Sequence, residues 1–239
     1  MKKYRTLLSA LWLLAFIPPI TIVIVELNKT ILNGRMRIVD FVDLIFLAPF
    51  YLVILARIHA EIFTNRKSFM FWLGLALLSL FLYGHAMHLT GNAINTYSTE
   101  IHNYRSQIPT DTYELIYFFD ENLGHWLTFA GLFGVMGVWL AEDKLEDKRI
   151  WLTMVPGVVI GLFQSVSIIE SSHPWLGLVA SLLLIIILII RLIKNRETLI
   201  EVFKKHPVGR FIMVVALFIL IGELIYYIVM GGFIQPSQL

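Results

Sequence analysis

Apolar residues in this chain come in long runs broken by short polar stretches. Each run has about 20 residues, the length that carries a helix across a bilayer. Seven runs stand out, at about 7–27, 38–58, 69–96, 113–141, 150–170, 174–194 and 208–230. The pattern predicts an all-α protein: one integral membrane domain over 1–239, built as a bundle of seven transmembrane helices. The first run follows Lys2, Lys3 and Arg5, as a signal peptide would. Its apolar stretch is too long for one, however, and no small-x-small cleavage site follows. It reads as a retained helix, kinked at Pro18-Pro19.

Four of the runs carry polar side chains in a pattern. In "GHAMHLTGNAIN", His85, His88, Asn92 and Asn95 fall within an arc of about 80° at the helical period. Unpaired polar groups cost several kcal/mol in hydrocarbon, so this stripe must face protein, water or a ligand. In "YELIYFFDENLGHWLTF", Glu114, Tyr117, Glu121, His125 and Thr128 share a second stripe. Glu121 and His125 are i,i+4 neighbours and can reach one ion. By the same arithmetic Asp120 lies about 60° beyond the edge of that stripe. The fifth run adds Gln164, Ser167 and Ser171, then Glu170 and His173 at the Glu-x-x-His spacing of carboxylate-bridged metal bundles. Pro174 weakens that match, because a residue before proline avoids helical geometry. The seventh run holds Glu223 and Tyr226.

Composition sharpens the class. The chain is 58% hydrophobic and 15% charged, with mean hydropathy +0.76, where soluble domains carry about 25% charge. A net charge of +2 offers no nucleic-acid footprint, so no nucleic-acid partner is expected. Without cysteine there are no disulfides and no thiolate ligands. Any metal must be held by imidazole and carboxylate, which suits zinc, iron, manganese or copper(II).

Lysine and arginine set the orientation. With the N-terminus cytoplasmic, the inner segments hold Lys2, Lys3, Arg5, Arg57, Arg66, Lys67, Lys144, Lys148, Arg149, Arg191, Lys194, Arg196, Lys204, Lys205 and Arg210. Only Lys29, Arg35, Arg37 and Arg105 fall outside. The asymmetry predicts N-in, C-out in a multi-pass protein of a prokaryotic cell membrane. It also places His85, His88, Glu121, His125, Glu170, His173 and Glu223 in one outer leaflet.

Plainer roles compete with chemistry at each position. His85 and His88 could be hydrogen-bonding glue between helices. Asp40, Asp43 and Glu26 read as interfacial, and Asp120 could be solvated at the interface. His102 lies in a loop that could lid the site. His59 and His206 carry no assignment. "AEDKLEDKR" reads as a solvated loop, the sixth helix as lipid-facing, and Trp126, Trp151 and Trp175 as interfacial or packing residues.

The run "FLYGHAMHLT", followed on the next helix by "YFFDENLGHW", resembles the alkaline ceramidase side of the CREST superfamily of seven-helix membrane hydrolases. The resemblance covers some 40 residues. It implies a zinc hydrolase in which His88 is a ligand and Asp120 is a ligand or orients bound water. Two positions depart from it. Gly84 stands where a serine is expected, and the last helix has Glu223 in place of a paired-histidine motif.

The expectation is therefore a membrane-embedded metal-dependent hydrolase of a lipid or lipid-like amphiphile. Zinc is favoured as the divalent metal, with His85, His88, Glu121, His125, Glu170 and His173 as its candidate ligands. Asp120 or Glu223 serves as catalytic base. Iron doing oxidation is a variant of that reading. The rival readings are an ion- or proton-coupled transporter, a b-type haem protein with His85 or His88 opposite His125, and a non-catalytic subunit of a larger membrane complex.

Overall fold

The computed structural model describes residues 2–25, 30–31, 36–101, 105–171 and 173–233. Glu26 and His102 lie outside them. The described residues are almost wholly helical, as the hydropathy runs predict. Helix α1 is Lys2–Val25, which continues through Pro18 and Pro19. A minimal antiparallel ribbon follows, β1 (Thr30–Ile31) on β2 (Met36–Arg37). Then come α2 (Ile38–Ile62), α3 (Phe69–Asn95), α4 (Thr110–Glu142), α5 (Trp151–Glu170) and α6 (Trp175–Asn195). The short α7 (Leu199–Lys205) leads into α8 (Pro207–Met230).

Six of these helices, α2 to α6 and α8, are long and apolar enough to cross a membrane. The described part of α1 adds a shorter apolar helix, Arg5–Thr21. The breaks follow local chemistry. Ser68 caps α3, its hydroxyl accepting from the Phe71 N–H at 3.2 Å. Thr198 and Glu201 form a capping box on α7. Arg196 ends α6 and Gly231 ends α8, each at positive φ.

The long helices close into a ring in which each packs on the next, in the order α1, α2, α3, α4, α6, α8, α5 and back to α1. The tightest seam joins α3 to α4, and glycine makes it possible. A Cβ at Gly84 would collide with the Thr128 backbone nitrogen, and one at Gly131 with that of Phe81. Two backbones that meet this closely bring the polar residues one turn away within bonding distance of each other. On the outside of the ring α6 presents Leu182, Leu183, Ile186, Ile189 and Ile190, all about half exposed. An aqueous surface of that kind would be costly, but in lipid it is the expected one.

Among the described residues three stretches widen to π-helical turns: Asp43–Leu47 within α2, Thr96–Ile101 continuing α3, and Phe118–Gly124 within α4. All three lie toward the same end of the bundle, termed here the histidine end. Single π turns inside α-helices occur often at functional sites.

Candidate functional site

A cavity of about 180 Å³ opens inside the ring at the histidine end. Its polar lining is Asp43 and Tyr51 from α2, His85 and His88 from α3, His125 and Thr128 from α4, and Gln164 and Ser167 from α5. Thr21 of α1 completes it, and Leu47, Phe81, Phe129, Leu132 and Phe163 supply the apolar walls.

Each of the three imidazoles has one ring nitrogen beside an oxygen. His85 Nε2 lies 3.3 Å from Asp43 Oδ1. His125 Nδ1 donates to the Glu121 backbone carbonyl at 2.8 Å. His88 Nδ1 lies 2.7 Å from Asp120 Oδ1. That last approach is short but badly aligned, so both buried atoms are left without a hydrogen bond. In a neutral ring one nitrogen carries the N–H and the other keeps a free lone pair. The second nitrogen of each ring therefore remains for whatever enters the cavity. The rings of His88 and His125 pack on each other with centroids 4.3 Å apart, and His125 stacks on Phe129.

The π turns explain how the acids reach these rings. Asp120 sits inside the Phe118–Gly124 turn and is buried. It packs on α3 where Gly91 leaves room; a Cβ at Gly91 would stand 2.6 Å from that of Asp120. The wider turn changes the angle between successive residues. It thereby carries Asp120 onto His88, although the α-helical period places it off the stripe. Asp43 begins the π turn of α2 and faces His85 in the cavity; its expected interfacial role gives way to a place in the wall. The sequence holds a signal for this, since Asp43, Leu47 and Tyr51 fall at i, i+4 and i+8, one helical face. Just outside, Arg37, Asp40 and Asn92 tie α2 to α3 through Arg37 Nε–Asp40 Oδ2 at 3.1 Å and Asn92 Nδ2–Asp40 Oδ1 at 3.3 Å.

Other candidates do not join the cavity. Glu121 contributes its backbone carbonyl, while its carboxylate stays 3.8 Å from His125 Nδ1. Glu170 is exposed at the last turn of α5, and the helix ends there, so the Glu-x-x-His geometry does not form. His173 lies beyond the helix end, 2.8 Å from Asn122 Oδ1 and beside Trp126. Glu223 is buried on α8 and packs on Gly177 of α6, outside the cavity lining. Among the described residues, no group of three or more His, Asp or Glu side chains is arranged to hold a metal ion as it stands.

No protein-family model, curated protein or solved structure matches this chain.

Proposed function

We propose that this chain is a multi-pass membrane metalloenzyme, a zinc hydrolase acting on a lipid or lipid-like amphiphile, with its site in the histidine-end cavity. One observation carries the reading. His85, His88 and His125 line one cavity, and each has one ring nitrogen beside a carboxylate or carbonyl oxygen. Metal-binding histidines are held in that way, with the second nitrogen left for the ion. The close pair of His88 and Asp120 supports it further, because a buried carboxylate 2.7 Å from Nδ1 orients the ring and leaves Nε2 for the ion. The resemblance to seven-helix hydrolases concerns the same two residues.

A zinc ion held by the three imidazoles would supply a water nucleophile near neutral pH. Asp120, buried beside His88, orients that ring, and in this reading it is the acid that would take a proton from that water. Asp43 holds His85 in orientation. Tyr51, Thr128 and Gln164 offer hydrogen bonds to a polar headgroup, and Phe81, Phe129, Leu132 and Phe163 suit an apolar chain. A haem between His88 and His125 fits less well: their rings touch side by side, whereas axial ligands stand on opposite faces of the macrocycle. The reading includes seven spans with N-in, C-out orientation, so that the cavity opens toward the outer leaflet. A reporter fused after Leu239 should then be reached from outside.

The test is elemental analysis of the purified protein together with lipid hydrolysis in detergent. The reading predicts stoichiometric zinc without colour, less zinc in His88→Ala and His125→Ala, and hydrolysis that fails in both. Metal-free protein, or full metal in both variants, would overturn it, and a Soret band would replace it with haem.

A further inference from the structure

Glu223 stands apart from that site. It lies in "FILIGELIYY" on α8, has no exposed surface, and neither carboxyl oxygen has a hydrogen-bond partner. The carboxyl packs directly on the first turn of α6; a Cβ at Gly177 would stand 3.0 Å from Glu223 Oε1 and 3.1 Å from Cγ. The preceding residue, Gly222, packs on Ser165 of α5. The titratable groups on this end of the surrounding elements are Glu170 at the end of α5, His173 before α6, Asp111, Tyr113, Glu114, Tyr117, Asp120, Glu121 and His125 on α4, and Tyr226 and Tyr227 on α8 itself. None bonds to Glu223. Arg191 and Lys194 of α6, Arg210 of α8 and the charges of α7 lie at the opposite end of the bundle.

A bare carboxylate in such a place carries a desolvation cost of several kcal/mol with nothing to offset it. A metal ion needs further ligands, and among the described residues no group of three or more His, Asp or Glu side chains forms around it. A basic partner is missing among the described residues. The ligand that fits a lone, dry carboxyl is a proton. We propose that Glu223 is a proton-exchange site, separate from the histidine cavity, that holds a proton in the closed bundle and releases it to water entering between α6 and α8. On release the carboxyl O–H bond breaks, its electron pair stays on the oxygen, and the proton passes to water. The cost of the bare anion then ties release to opening of that seam.

The test is infrared spectroscopy of the whole protein in lipid vesicles across a pH series, for the wild type, Glu223→Gln and Asp120→Asn. A free-acid carbonyl band should be present in the wild type and in Asp120→Asn, be lost in Glu223→Gln, and disappear reversibly as pH is raised. Gly177→Ala keeps the acid but crowds it, so the band should shift without loss; this variant serves also if Glu223→Gln does not fold. The proposal fails if the wild type and Glu223→Gln carry the same acid bands at every pH. It also fails if the band stays unchanged to the highest pH at which the helices persist. Neither result depends on zinc content or hydrolysis, so this proposal and the hydrolase can fall separately.

Discussion

The two ends of the bundle differ in how completely they satisfy their buried polar groups. At the arginine end nearly every one is satisfied. Arg191 donates to the Leu140 carbonyl at 2.7 Å, the Asp143 carbonyl at 2.8 Å and the Glu197 carboxylate at 3.2 Å. Arg210 donates to Thr153 Oγ1 at 2.7 Å and the Phe203 carbonyl at 2.9 Å. Asp143 Oδ2 accepts the Val208 and Gly209 N–H groups at 2.9 Å each, capping α8. His206 has both ring nitrogens engaged, on Leu145 and Glu197. His59, deeper in, accepts from the Trp139 indole and bonds the Phe71 carbonyl. At the histidine end His88 Nδ1, Asp120 Oδ1 and both Glu223 oxygens are buried without hydrogen bonds. A satisfied network fixes a fold. A set of buried, unsatisfied groups persists only where something other than stability maintains it.

The sharpest way to break this comparison is to exchange the consequences. Arg210→Ala removes a buried guanidinium and strands its acceptors, so it should destabilise by about 3–5 kcal/mol, measured by denaturation in detergent. It should leave the zinc bound per folded molecule unchanged. A fully stable Arg210→Ala protein would mean that the arginine network is not what holds the fold. Asp43→Asn should act the other way. It removes the acid that orients His85 and should weaken metal affinity by about 10–100-fold, while stability of the metal-free protein changes by less than about 1 kcal/mol. Equal metal affinity in Asp43→Asn would show that His85 is glue and not a ligand.

Much of this was legible in the chain itself, though unevenly. The apolar runs mark the helices because a span must be apolar over its whole length, and no tertiary partner is needed to see that. The stripe of His85, His88 and Asn92 survives because α3 is a regular helix there. Asp120 is displaced from its stripe by the π turn at Phe118–Gly124, which the 3.6 period does not describe. Glu170 and His173 fail to converge because the helix stops between them. "AEDKLEDKR" is the solvated loop it resembles at Lys144, Glu146, Lys148 and Arg149, which are exposed, but Asp143 within it is buried. Its partners, Arg191, Val208 and Gly209, come from distant helices, and nothing local in the loop announces them.

Two smaller effects sharpen the contrast. Gly84→Ala should push α3 from α4 and cost about 1–3 kcal/mol. Because it separates the helices carrying His88 and Asp120, metal loss should accompany the lower stability; stability loss alone would show that the seam does not set the site. At the arginine end, burial works to raise the Glu197 carboxyl, but its bond to Arg191, the charge of Arg191 and that of His206 together hold it below the usual value. A carboxyl lowered in the folded state contributes stability fully above its unfolded value, near 4.5, and loses it as pH falls through the folded value. Glu197→Gln should therefore cost up to about 1 kcal/mol at neutral pH, with the gap in thermal midpoint closing in acid below that value. A gap independent of pH would assign the effect to packing.

Helix α4 is continuous from Thr110 to Glu142. At about 1.5 Å per residue it is roughly 50 Å long, well beyond a hydrocarbon layer of about 30 Å. His125 stands roughly 25 Å along that axis from Glu142, next to the rigid arginine network. The helix is thus a ruler: if the arginine network sits at one headgroup layer, the cavity meets the other at a depth set by bilayer thickness. Thin membranes would lift the cavity into the headgroups, and thick ones would sink it among the acyl chains.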